Sequence, residues 1–155
     1  MAASYYGLPR TTLDVDFIVQ LSNEQLDPFL DKLAGFGLEV DRTRIKRRLR
    51  AGYNIVTLRD KASQNRVDFI IQTTGKIHRR PGRALGLKSF YQSPEALILA
   101  KLRMIKATHP PERSFKDRDD IRQILANIKI SRRKLFRLAE EQHTGAFLKE
   151  ILELS

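Results

Sequence analysis

The sequence contains no cysteine, which excludes disulfide bonds, thiolate chemistry and zinc sites built on sulfur. Its three histidines, His78, His109 and His143, lie too far apart for a two-histidine metal motif. Long apolar runs are also missing, because stretches such as Ala96–Ala100 are far shorter than the roughly 20 residues that cross a bilayer. No signal-peptide pattern precedes the first predicted strand. We therefore expect a cytoplasmic protein that does not associate with membranes.

The composition is that of a folded, strongly basic protein. The chain has 155 residues, 41% of them hydrophobic, and we expect a sheet domain over 1–92 with a helical subdomain over 93–155 packed on it. The net charge of +11 suits a polyanionic partner, and it equally suits a well-solvated basic protein. Clustering of the basic residues favours a polyanionic partner. The two clusters are Arg42, Arg44, Lys46, Arg47, Arg48 and Arg50, and then Lys76, Arg79, Arg80, Arg83 and Lys88.

Periodicity predicts strands in the first half of the chain and helices in the second. Alternating apolar residues indicate strands, and apolar residues spaced by three and four indicate helices. Gly75–Gly86 has glycine, proline and basic residues without periodicity, which predicts a mobile loop. The fold is therefore expected to be α/β (α+β), a small mixed sheet with helices and a helical C-terminal part. The predicted elements are a strand over 11–20, a helix from the Ser22 cap to Gly35, a short basic helix or irregular rim over 43–50, a hairpin of strands over 53–59 and 66–73, helices over 94–108 and 115–128, and two more helices, one capped by Ser131 and one after Gly145.

Three aspartates interrupt the predicted strands. Asp14 and Asp16 are one residue apart and therefore share a face of the first strand. Asp68 interrupts the strand over 66–73 in the same way, so the three carboxylates converge if the two strands are neighbours. Carboxylate oxygens are the ligands that Mg²⁺ and Mn²⁺ prefer. Spacing alone leaves two interpretations open, a site for such an ion or three exposed polar positions on a half-solvated sheet.

The sequence around these aspartates resembles the DNA polymerase beta-like nucleotidyltransferase superfamily. The stretch YGLPRTTLDVDFIV has the form Gly-x-Pro-Arg-x-Thr-x-Asp-hydrophobic-Asp. It is most similar to the minimal and abortive-infection (AbiEii-type) branches. The later stretch SPEALILAKLRMIKATHPPERSFKDRDDIRQIL is similar to the second motif of that branch, a lysine in a helix, an arginine, and then Lys-Asp-x-x-Asp before a hydrophobic residue. The matching positions are Lys101, Arg113, Lys116, Asp117 and Asp120.

The resemblance implies a metal-dependent nucleotidyltransferase. Such an enzyme moves a nucleoside monophosphate from an NTP onto a hydroxyl of RNA or protein. The resemblance also implies Mg²⁺ or Mn²⁺ as cofactor. Catalysis and metal binding fall to Asp14, Asp16 and Asp68. The toxin branch of the family acts on tRNA and the minimal branch modifies partner proteins, so a toxin–antitoxin role with a tRNA or other RNA acceptor, or a partner protein, is implied. The positive charge favours RNA.

One departure from the family pattern leaves an alternative open. The family usually has a Gly-Gly or Gly-Ser turn, roughly ten residues before the aspartate pair, whose backbone N–H groups cradle the triphosphate. Only MAASYYGLPR precedes the motif here, and it contains no such turn. The sequence therefore predicts either an enzyme completed by residues upstream of Met1 or a catalytically degenerate fold that binds nucleic acid or a partner protein.

Several further residues have both a functional and a simpler interpretation. Lys101 would reach a triphosphate as a point charge, or it would lie along the edge of its helix. The basic run Arg42–Arg50 would bind RNA phosphates with a steep salt dependence, or it would form a solvated helix face. Arg10 would hold a phosphate, orient Asp14 or form a surface ion pair, and Thr12 would hydrogen-bond a carboxylate or only satisfy strand propensity. Lys116 would bind nucleotide, and Asp117 would support the site or only interact with the helix dipole. Asp120 would pair with Arg10 or another arginine.

Overall fold

The computed structural model describes residues 5–6, 14–63, 65–84 and 86–153, with only the backbone described at 14 and 15. The predicted site residues Arg10 and Thr12 lie outside the described residues, as does the side chain of Asp14. The described chain divides into two compact units, residues 14–77 and residues 78–153 together with 5–6. This division places residues 78–92 with the helical unit, whereas the sequence predicted the boundary after residue 92.

The first unit combines a three-stranded sheet with two helices, and the predicted mixed α/β class is confirmed. The strand order is β1-β3-β2, with β1 parallel to β3 and β2 antiparallel to β3. The predicted hairpin is therefore confirmed, and the basic segment forms a helix. The elements are β1 (Asp14–Gln20), α1 (Asn23–Gly35), α2 (Arg42–Arg50), β2 (Ile55–Arg59) and β3 (Arg66–Gln72).

Local hydrogen bonds set the starts of both helices in this unit. At α1 the Oε1 of Gln25 accepts a hydrogen bond from the backbone N–H of Ser22 at 2.9 Å, as the predicted capping box requires. At α2 the Oδ1 of Asp41 accepts from the N–H of Arg44 at 2.9 Å. The helices supply buried apolar residues to one core with alternate residues of the strands. These residues are Leu30, Leu33, Ile45, Val56, Leu58, Phe69 and Ile71.

The predicted loop at Gly75–Gly86 is wrong over Arg79–Ala84, which forms strand β4 and pairs antiparallel with β5 (Leu87–Gln92). The segment has no apolar periodicity, and hydrogen bonding to β5 holds it as a strand instead. The Tyr91 hydroxyl donates a hydrogen bond to the Arg83 carbonyl at 2.8 Å, and the Tyr5 ring stacks on the Tyr91 ring with centroids 4.0 Å apart. Gly82 lies against both rings, because a Cβ there would come within 2.8 Å of Tyr91 and 2.9 Å of Tyr5. A glycine that looked like a loop signal instead permits close ring packing.

Helices form the rest of the second unit, as predicted. They are α3 (Pro94–Ala107), a 3₁₀ turn (Pro111–Ser114), α4 (Phe115–Asn127), α5 (Arg132–Glu141) and α6 (Gly145–Glu153). The predicted caps are confirmed, since Ser93 Oγ accepts from the Ala96 N–H at 3.2 Å and Ser131 Oγ accepts from the Lys134 N–H at 3.3 Å. All four helices contribute to one core, in which residues such as Leu102, Ile124 and Leu148 are fully buried. Among the helices of the described residues, none has the length and apolar character that a bilayer crossing needs.

Candidate functional site

Asp16 and Asp68 are direct register partners on the neighbouring parallel strands β1 and β3. Neighbouring strands lie about 4.8 Å apart, and paired residues point to the same face of a sheet. Position 14 on β1 pairs with Arg66 on β3. These two positions each precede the Asp16–Asp68 pair by two residues, so they belong to the same face of the sheet. This face is opposite the one that carries Val56, Leu58 and the rest of the core. The register thus gathers the three aspartate positions on one face, as the strand alternation predicts.

Asp68 is the more enclosed of the two described carboxylates. It is half-buried, its Oδ1 is shielded from solvent, and no described group hydrogen-bonds to that oxygen. Asp16 next to it is exposed and carries a like charge. A buried acceptor without a partner costs about 1–3 kcal/mol, and a neighbouring carboxylate adds repulsion. A bound cation would remove both costs, so the oxygen suits a hard divalent ion such as Mg²⁺ or Mn²⁺.

The described side chains supply two of the three predicted metal ligands. Within the part of the chain whose side chains are described, no group of three or more His, Cys, Asp or Glu residues is arranged to hold a metal ion. The carboxylate of Asp14, the third predicted ligand, does not belong to that part. Asp16 and Asp68 therefore fit the predicted metal as a pair of oxygen ligands, and the full set of three stays a prediction.

Two arginines lie on the same sheet face as the carboxylates, and the sequence analysis did not identify them as site residues. Arg66 on β3 is the register partner of Arg59 on β2, on the face that carries Asp16 and Asp68. Like charges directly opposite each other destabilise a sheet, and neither arginine forms an ion pair with a described residue. A bound anion would relieve this repulsion. The signal was present in the sequence, since Arg66 precedes Asp68 by two residues and so must share its face.

Lys101 lies in the second unit and is already paired. Its Nζ is 2.9 Å from Oδ1 of Asp117 and 2.5 Å from Oδ2 of Asp120, and this links α3 to α4. The side chains are mostly buried, with 14% of Lys101 and 7% of Asp120 exposed. Lys116 in the first turn of α4 is exposed. The nucleotide-binding roles of Lys101 and Lys116 stay predictions. The predicted partner of Asp120, Arg10 or another arginine, also stays a prediction, and Lys101 forms an ion pair with Asp120 that the sequence did not predict.

The basic helix α2 is not a uniform cationic surface. Arg42 forms ion pairs with Asp31 and, at 3.8 Å, with Asp27, and Lys46 pairs with Asp27 at 2.8 Å. These two residues therefore have their charge neutralised by α1. The other basic residues of the helix are exposed and form no ion pair with a described residue: Arg44, Arg47, Arg48 and Arg50.

The second basic cluster belongs largely to the β4–β5 hairpin. The Arg79 guanidinium lies over the ring of Phe90 at 4.1 Å, and Arg83 donates a hydrogen bond to the Gly86 carbonyl at 3.2 Å. Both contacts are made within the hairpin. They give part of this cluster a role in hairpin packing that needs no polyanion.

Comparisons with known proteins do not extend these observations, since no family model, no curated protein and no solved structure matches the chain. The resemblance to nucleotidyltransferases therefore depends on the two motifs and on the residues that they contain.

Proposed function

We propose that the protein is a metal-dependent nucleotidyltransferase that moves a nucleoside monophosphate from an NTP to a hydroxyl group. The observation that supports this most is the register pairing of Asp16 with Asp68, together with the buried, unpartnered Oδ1 of Asp68. A buried carboxylate oxygen without a hydrogen-bond partner lowers the stability of the fold. Proteins retain such groups at sites where a ligand satisfies them.

The proposed chemistry uses positioning and charge more than covalent catalysis. Asp16, Asp68 and Asp14 would hold Mg²⁺ or Mn²⁺, which would neutralise charge on the triphosphate. Arg66 would attract phosphate oxygens from the same sheet face. The acceptor oxygen would attack the α-phosphorus, the bond to the β-phosphate oxygen would break, and pyrophosphate would leave. Asp68 would take the proton of the acceptor hydroxyl.

The proposed acceptor is a hydroxyl on RNA or on a partner protein. The net charge of +11 favours RNA, because a basic surface raises the local concentration of a polyanion. Exposed arginines of α2 would supply phosphate contacts in the same unit that holds the carboxylates.

Incubation with each labelled NTP, Mg²⁺ or Mn²⁺, and cellular RNA or protein tests this proposal. We expect label on one acceptor class, and Asp16→Asn and Asp68→Asn should each reduce transfer by about a hundredfold or more, since charge stabilisation of this kind contributes several kcal/mol. Asp119→Asn is the matched control, because Asp119 is an exposed carboxylate on α4 that bonds only to Gln123 in the described chain.

Metal binding provides a readout that does not need the right acceptor. Titration with Mn²⁺, followed by electron paramagnetic resonance, should show binding by the unchanged chain and by the Asp119→Asn variant. Binding should be lost in the Asp68→Asn variant. Absence of both transfer and metal binding would overturn the proposal and leave the degenerate, non-catalytic alternative.

A further inference from the structure

Strand β2 is an edge strand, and its outward-facing backbone groups can be assigned from the hydrogen bonds around it. Ile71 N–H donates to the Asn54 carbonyl at 2.8 Å and Asp60 N–H donates to the Asn65 carbonyl at 3.1 Å. Hydrogen-bonded pairs alternate along an antiparallel ladder. Even-numbered residues of β2 therefore bond to β3, and the backbone N–H and C=O groups of Ile55, Thr57 and Arg59 point away from it.

The chain begins to cover this edge and then leaves it. Glu39 N–H donates to the Arg59 carbonyl at 2.8 Å, and Lys61 N–H donates to the Gly37 carbonyl at 3.0 Å, so residues 37–39 run antiparallel beside the end of β2. The segment then turns away, because Asp41 caps helix α2. The backbone groups of Thr57 and Ile55 are consequently left at an open edge, with which no strand of the described chain pairs.

A groove of about 600 Å³ lies between this open edge and helix α2. Its apolar lining includes Val40 and Ile45, and its basic lining includes Arg44, Arg48 and Arg59. Arg44 and Arg48 are four residues apart and so lie on one face of the helix. None of the three arginines forms an ion pair with a described residue, in contrast to Arg42 and Lys46 on the other side of α2.

We propose that this groove binds an extended acidic segment of a partner protein, which adds a strand to the open edge of β2. Strand addition satisfies alternating donors and acceptors, and Thr57 and Ile55 offer both. The arginines attract carboxylates, and the apolar lining takes the alternate side chains. The groove also contains Glu39 and Asp41, but its four arginines leave it with a net positive charge. A nucleic acid backbone fits less well, because a phosphate diester has no N–H donor for the outward carbonyl groups of Ile55 and Thr57.

The inference does not require transferase activity, since it uses neither Asp16 nor Asp68, but the groove shares Arg66 and the α2 arginines with the proposed phosphate contacts. A terminally blocked peptide of alternating Glu and Val serves as the probe, and its binding is measured by fluorescence anisotropy. Two matched peptides are the controls, one with Lys in place of Glu and one with alternate amides N-methylated to remove the edge hydrogen bonds. We expect the Glu–Val peptide to bind and both controls to bind at least about tenfold more weakly, because one control loses its charge-assisted hydrogen bonds to the arginines and the other loses several backbone hydrogen bonds to the edge.

Variants of the protein distinguish the contribution of the β2 edge hydrogen bonds from that of the arginine charges. Arg44→Glu/Arg48→Glu should abolish peptide binding, whereas Arg47→Glu/Arg50→Glu on the same helix should weaken it only through the net charge. Thr57→Pro removes an outward N–H without removing a ladder bond to β3, and Thr57→Val retains that N–H. The proline variant should lose binding and the valine variant should keep it, with circular dichroism confirming that each remains folded.

Hydrogen exchange gives a result that does not depend on any substitution. The peptide should slow exchange of the Thr57 N–H and leave that of the neighbouring Val56 N–H unchanged, since Val56 already bonds to β3. Equal binding of the N-methylated peptide, absence of Glu–Val peptide binding, or protection of Thr57 by single-stranded RNA instead of the peptide would each overturn the proposal.

Discussion

The Nζ of Lys101 on α3 lies 2.5 Å from the Oδ2 of Asp120 on α4, and both side chains are mostly buried. Removing one member of a buried ion pair is strongly destabilising. The ion pair therefore joins α3 to α4, the two helices that carry the second sequence motif.

Lys101→Met should lower the free energy of unfolding by about 3 kcal/mol, because the mostly buried ion pairs of Lys101 with Asp117 and Asp120 are lost. Urea denaturation at neutral pH measures the change. Lys149→Met is the control, since Lys149 and Glu153 are exposed and 3.7 Å apart, and such pairs contribute less than about 1 kcal/mol. A similar small loss for both variants would show that Lys101 is not needed for stability and is available for a ligand.

Asp68→Asn should stabilise the metal-free protein while removing its response to metal. The substitution takes away one of two adjacent like charges, so the free energy of unfolding in EDTA should rise by about 1 kcal/mol. Mn²⁺ should stabilise the unchanged chain and not the variant, because an ion that binds only the folded state raises its stability. Urea midpoints with EDTA and with Mn²⁺ give both quantities. Equal stabilisation of the variant by Mn²⁺ would place the metal elsewhere.

Gly82→Ala should destabilise the β4–β5 hairpin by about 1–3 kcal/mol, because the new Cβ would come within 2.8 Å of the Tyr91 ring. Thermal unfolding measures the effect. Gly35→Ala provides the comparison, since no atom lies within 4 Å of a Cβ there and the residue is helical. If the two variants have the same melting temperature, the packing of Gly82 against the tyrosine rings does not constrain the hairpin.

Alkaline unfolding should depend on Tyr6. Burial raises the pKa of the Tyr6 phenol above its ordinary value, and the hydroxyl donates to the Gln92 carbonyl at 2.6 Å. A raised pKa in the folded state gives a stability contribution that is complete below the unfolded pKa, near 10, and is lost as the pH rises through the folded pKa. Tyr6→Phe should therefore flatten the fall in stability above about pH 10. Urea midpoints across that pH range, compared with those of the unchanged chain, test this; identical slopes would contradict it.

RNA binding, if α2 carries it, should have a limited salt dependence. Arg42 and Lys46 are paired with α1, so four exposed arginines of the helix are available, and the log–log slope for a single strand should be no steeper than about −3. Arg47→Ala/Arg50→Ala should reduce that slope by about half. Anisotropy with a labelled single-stranded RNA over a salt series measures it, and an unchanged slope in the double variant would reject α2 as the contact.

The sequence predicted best where side-chain periodicity is strong. Alternation placed the Asp16 and Asp68 positions on one face, and serine residues correctly marked the starts of α3 and α5. Prediction failed at Arg79–Ala84, because proline and glycine there resemble a loop, and the close packing of Gly82 against the rings of Tyr5 and Tyr91 depends on contacts with residues distant in sequence. The pairing of Lys101 could not be predicted from composition either, since it depends on how α3 packs against α4.

The parallel pairing of β1 with β3 has a consequence for folding. Between these strands the chain forms α1, α2 and β2, so Asp16 and Asp68 meet only after a long crossover closes. The β2–β3 hairpin and the two helices depend on contacts closer in sequence, which generally form first. We therefore expect docking of β1 to be a late step of folding in this unit, and it must bring two carboxylates together. Forms of the unit in which β1 is undocked therefore lack the carboxylate pair, and a divalent ion that binds the completed pair should slow the undocking of β1.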